Sequence, residues 1–224
     1  MCFDRSLYTT MSNSNVRLFF STAFLAVISS VTVSAAVIFA NPITGTNPNT
    51  SNPYTTGQTF DTNVTVGGIA RGSGIVSANA NNRYNASGWN SASFDSSDYF
   101  EFTITPKPSF EIDFTNFVYT GQASGSGATS FAFRSSVDSF ASNLGTPTAG
   151  GTTISLSAIS FQNVTSATTF RLYGWAASAA GGTFSVNDFT FNGSVSAIPE
   201  PSTFAAVLGA AALAGVAARR RRSV

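Results

Sequence analysis

The chain has 224 residues, with 11 basic and 10 acidic side chains, one cysteine and no histidine. Without histidine it can form no Ser-His-Asp triad, no Cys-His pair and no imidazole-based zinc or iron site. The lone cysteine is Cys2, so the chain after it has neither a disulfide framework nor thiol chemistry.

At the front, Arg17 precedes an apolar stretch from Leu18 to Ile28, and the small residues Val33-Ser34-Ala35-Ala36 follow. A basic flank, an apolar helical core and an A-x-A-like site make residues 1–36 a secretory signal peptide. Its partners are the general secretion machinery and signal peptidase, which cuts after Ala35 or Ala36. Met11 is a better start than Met1, because Arg17 then sits in a short n-region.

Residues 37–57 begin with Val37-Ile38-Phe39, a short first strand. They continue through Asn41-Pro42, Asn47-Pro48 and Asn52-Pro53, turn signals that predict an irregular surface strap. Residues 58–195 are rich in Thr, Val, Phe, Ile and Tyr with scarcely a helical period, which predicts an all-β domain. Phe100, Phe102 and Ile104 alternate with Glu101, Thr103 and Thr105. After a turn at Pro106-Lys107-Pro108, Phe110, Ile112 and Phe114 alternate with Glu111, Asp113 and Thr115. The apolar phase slips near Asn116 and again around Asn187-Asp188, which predicts two β-bulges. Further strands are predicted at 130–134, 153–157, 158–164 and 168–175. The expected solution is an antiparallel two-sheet β-sandwich with its many phenylalanines between the sheets.

Few residues in this body point to chemistry. From Val37 to Ile198 five basic side chains face eight acidic ones, so no nucleic-acid partner is expected. A glycan-active enzyme would need two carboxyls across a cleft, but alternation puts Glu101, Glu111 and Asp113 on outer faces; no enzyme is expected. Asp95, Asp98 and Asp188 are oxygen donors in loops, so a structural calcium is the one cofactor considered; turn chemistry explains them equally well. Tyr84, Trp89, Tyr173 and Trp175 could stack on sugar rings or pack in the core, with Tyr173 and Trp175 sharing a face with Arg171. Arg134 and Asp138 suggest an ion pair or a turn cap.

The tail has three parts in fixed order. Residues 196–202 are a linker containing Pro199, Glu200 and Pro201; residues 203–218 are an apolar run without charge; residues 219–224 carry Arg219, Arg220, Arg221 and Arg222. As a helix the apolar run would rise ~24 Å, short for a bilayer core of about 30 Å. The arginines keep the far end cytoplasmic and stop transfer, so the body lies outside.

This tail resembles the PEP-CTERM sorting signal of bacterial exported proteins. DYFEFTITP (98–106), SFAFRSSVDSFAS (130–142) and FRLYGWAASAAGGTFSVNDFTFNGSV (170–195) resemble the bodies of many such proteins. The resemblance implies a jelly-roll-like sandwich and an exosortase-type membrane protease as partner. It also implies attachment through the C-terminal helix before processing, then a cell-surface or extracellular location. A structural or adhesive role with exopolysaccharide is the expectation, with a carbohydrate-binding module as the alternative.

Overall fold

The computed structural model describes residues 35–199 together with Gly209, Ala212, Leu213 and Arg219. The expected signal helix and apolar C-terminal helix lie almost wholly outside the described residues, as do Glu200, Pro201 and Arg220 to Arg222. Among the described residues no helix is long and apolar enough to cross a membrane.

The body is all-β and built from two antiparallel sheets. Sheet one contains β1 (Ala36–Asn41), β2 (Thr59–Phe60), β4 (Val76–Ser77), β5 (Tyr84–Ser87), β7 (Phe110–Ala123), β9 (Gly151–Ser155) and β11 (Thr183–Ala197). Sheet two runs in the order β3 (Val64–Arg71), β6 (Tyr99–Pro106), β10 (Thr168–Trp175), β8 (Ser130–Ser135). Strand β11 is the spine of sheet one. It pairs with β7 along one edge from Phe184 to Ala197, and on its other edge with β5 and then β1.

Inward residues of both sheets mesh into one aromatic core. Phe117 of β7 stacks on Phe133 of β8 at 4.6 Å with the rings 2° from parallel, and Phe102 of β6 meets Phe189 of β11 edge-on at 4.8 Å. Such offset and edge-to-face contacts are the favoured geometry of aromatic quadrupoles. The two predicted phase slips are register shifts: β7 gains a residue at Thr115, beside Asn116, and β11 gains one at Asn187. Each lets a long strand turn its apolar face back to the core.

Two segments differ from expectation. Residues 158–164 form a 3₁₀ turn (Ile159–Phe161) and one isolated bridge from Val164 to Ile112 in place of a strand. The cause is Gln162, whose Nε2 donates to the carbonyls of Phe114 and Leu156 and so takes the place of a backbone ladder. The 37–57 strap is more deeply built in than its turn signals suggest. Its first strand is the expected one, β1 inside sheet one, but Ile43 and Tyr54 beyond it are buried as well.

Arg71, at the end of β3, ties the strap down. It is 9% exposed; Nε donates to the Asn85 carbonyl, Nη1 donates to the Ser51 carbonyl, and the guanidinium lies 3.7 Å from the Tyr84 ring centroid. Its backbone N–H donates to Asn52 Oδ1, and the Tyr84 hydroxyl donates to Ser51 and Asn52 as well. No carboxylate accompanies it among the described residues.

Candidate functional site

The outer face of sheet two is where β10's alternation brings polar and aromatic side chains together. Phe170 and Leu172 point into the core, which leaves Arg171, Tyr173 and Trp175 on the outside. Cross-strand register then sets rows across the sheet. Glu101 on β6, Arg171 on β10 and Arg134 on β8 stand side by side, and Tyr99, Tyr173 and Ala132 form the next row. Tyr173 is 1% exposed yet lies outside the core cluster, because side chains on the outer face cover it.

The cover comes from two loops. Phe94, in the loop before β6, packs on Tyr173 at 5.0 Å and edge-on against Trp175 at 5.8 Å. Phe140, after β8, folds back so that the Arg171 guanidinium lies 4.1 Å from its ring centroid and 4.1 Å from that of Tyr99. Reaching this position puts Ser139 at φ 59° and Phe140 at φ 61°, a left-handed pair of non-glycine residues. Asp138 compensates by accepting the backbone N–H groups of Ala141 and Ser142. Asp138 therefore caps its own loop and does not pair with Arg134. The Ser142 side chain, followed by the backbone N–H groups of Ser142 and Ala141, holds the Asp138 carboxyl below the usual range against an opposing effect of burial.

Both arginines are held in place. The Arg171 Nε donates to Glu101 Oε2 at 2.8 Å, with each side chain about a quarter exposed. Burial works against the Arg171 charge, but the bond to Glu101, with Tyr173 and Tyr99 nearby, raises its pKa overall. The Arg134 Nε donates to Asn143 Oδ1 and its Nη1 to the Phe140 carbonyl, while the guanidinium lies 4.1 Å from the Phe94 centroid. Cations over ring faces gain from the ring quadrupole and lose side-chain freedom.

The four aromatics singled out in the sequence do not share a surface. Tyr84 and Trp89 are core residues: Trp89 packs between Phe100 and Phe184 and donates its Nε1–H to the Ala86 carbonyl. Tyr173 and the half-buried Trp175 do belong together. Phe94, Tyr99 and Phe140 complete their group, and only Tyr99 carried a signal, as the outward cross-strand neighbour of Tyr173.

Asp95 and Asp98 meet through Ser91, whose hydroxyl donates to both, and burial raises the pKa of Asp98. Asp188 lies on the other sheet, bonded by Thr120, so the three do not converge. Among the described residues no three acidic or thiol groups cluster as a metal site. Glu101 stands on sheet two, whereas Glu111 and Asp113 are on β7 of sheet one. A concavity of about 410 Å³ beside Ser136, Gln162 and Thr168 is lined by no acid or base.

Strand β11 stays bonded to the fold up to the last described residues before the tail. Ala197 is still paired with Phe110, and the Ile198 N–H donates to the Ser109 carbonyl. Residues 197–222 match the family model described as the PEP-CTERM protein-sorting motif. No curated protein and no solved structure matches the chain. The chain thus carries a PEP-CTERM sorting signal, the mark of a protein exported to the surface and processed by an exosortase-type enzyme.

Proposed function

We propose that this is a non-enzymatic surface or matrix protein, delivered as a folded jelly-roll-like sandwich and released by cleavage at its tail. The observation that carries the reading is the sorting motif, which begins at the last paired residue of the body. Pro199 and Pro201 disfavour a helix interior, so the sequence around Glu200 suits recognition by a protease. The apolar run holds the segment at the membrane and the arginines stop transfer. Intact mass and location of the native protein, beside a Glu200→Ala variant, test this. The wild type is expected to lose both terminal segments while the variant stays in membranes. Retention of the apolar tail in both would make it a plain anchor and overturn the sorting mechanism.

A second reading concerns the mature body. The grouping of the partly exposed Phe94, Tyr99 and Trp175 around the covered Tyr173 on one outer sheet face favours carbohydrate contact, since aromatic surfaces stack on the apolar faces of sugars. An adhesive role with exopolysaccharide would follow from it.

A further inference from the structure

The row Glu101–Arg171–Arg134 is unbalanced. Arg171 and Arg134 stand directly opposite on neighbouring strands, and like charges so placed repel. One carboxylate serves the row and it bonds Arg171; no acid lies within 4 Å of Arg134 among the described residues. The surplus cation sits on a body with more acidic than basic groups.

Yet the fold keeps both arginines in fixed positions. Two donors of Arg134 are used on Asn143 and Phe140, its plane rests on Phe94, and the loop that brings Phe140 over Arg171 runs through two left-handed residues. Strain of that kind persists only where the surroundings over-determine it, and it gathers at binding sites. Immobilised guanidinium groups give up little further entropy on meeting an anion, and their forked donors match a carboxylate.

We propose that this face binds an acidic polysaccharide. Arg134 and Arg171 take a sugar carboxylate, and Trp175 underlies a ring further along the same chain. The inference rests on the carbohydrate reading above and narrows it to uronate-bearing chains. Arg171 and Trp175 are four residues apart on β10, ~13 Å, a span of several sugar units and too long for a single small anion. Thr103, Thr169 and Ser130 add hydroxyls to the same strip. An acidic peptide fits less well: peptides add to a sheet edge or lay side chains into grooves, whereas this is a filled face in the middle of a sheet.

The test titrates the full chain, purified in detergent, with hexagalacturonate, neutral maltohexaose and hexaglutamate, followed by calorimetry. Hexagalacturonate is expected to bind and to weaken with added salt. Arg134→Gln is expected to weaken it about tenfold or more, measured at a temperature where thermal unfolding shows the variant still folded. Trp175→Ala, which removes no hydrogen bond of either arginine, is expected to weaken it too, and it serves where Arg134→Gln fails to fold. Binding of hexaglutamate equal to that of hexagalacturonate overturns the proposal, as does binding unaffected by either substitution. Equal binding of maltohexaose would leave the carbohydrate reading standing and remove the acidic one. Binding of neither saccharide removes both.

Discussion

Replacing Phe117 by alanine tests whether the two sheets face each other as one core. Phe117 is fully buried on sheet one, and it meets Phe133 at 4.6 Å and Phe102 at 5.2 Å, both on sheet two. Phe191 of β11 packs beside it at 4.5 Å. A buried Phe→Ala change costs about 3–5 kcal/mol, and a site walled by close-packed rings cannot collapse to fill the void, so the upper half of that range is expected. For a body of about 160 residues, 4 kcal/mol lowers the melting temperature by roughly 12 °C and the urea midpoint by about 2 M. Fluorescence reports the transition, because Trp89 is buried in the core and becomes hydrated on unfolding. The matched control is Phe60→Ala on β2, where the ring is 47% exposed and a loss within about 1 kcal/mol is expected. A loss at Phe117 below about 1 kcal/mol, or equal to that at Phe60, would refute the face-to-face packing.

Arg71→Ala should cost about 2–4 kcal/mol in urea unfolding, because the carbonyls of Asn85 and Ser51 lose a charge-assisted donor and the Tyr84 face loses its cation. An unchanged midpoint would mean that the strap is held by its apolar residues alone. Acid sensitivity should follow Asp138, whose folded pKa is depressed below 3.8. Its contribution is present above the unfolded value and is lost as pH falls through the folded one, so wild type and Asp138→Ala should differ at pH 6 and converge in strong acid. A difference that persists unchanged to low pH would contradict this. Asp98 acts with the opposite sign: burial raises its pKa, so its protonation on acidification offsets part of the loss.

Alternation was the legible part of this fold. In β6, β7 and β10 one face is mostly apolar, so pattern alone assigned Phe100, Phe102, Ile112, Phe114, Phe170 and Leu172 to the interior. Even the bulges were readable, because a slipped phase has no other cheap explanation in a half-buried strand. Residues 158–164 were misread because a side-chain amide, Gln162, can satisfy a sheet carbonyl, and period-two hydrophobicity does not register that. Trp89 and Tyr84 carried no usable signal. Their Asn-rich neighbourhood looks like surface, but it reflects turns at the end of a sandwich whose interior the aromatic rings fill. The outer-face site was half legible. Tyr173, Trp175 and Arg171 share a strand, whereas Phe94 and Phe140 arrive from loops whose path only the folded chain reveals.

Strand β11 links the body to its sorting signal. Strand β1 starts opposite Gly193, and β11 ends at Ala197, four residues further on, so the chain enters and leaves at the same end of sheet one. From Ala197 to Glu200 is three residues, at most ~10 Å of extended chain. The sorting motif thus starts at the rim of a folded domain, where the Ile198 N–H donates to the Ser109 carbonyl. The body needs no disulfide to fold there, since it contains no cysteine after Cys2. Its stability depends on the aromatic packing between the sheets. The far side of sheet two, with its paired arginines, is built from strands that do not include β11, so anchoring the tail and presenting that face make no demand on the same residues.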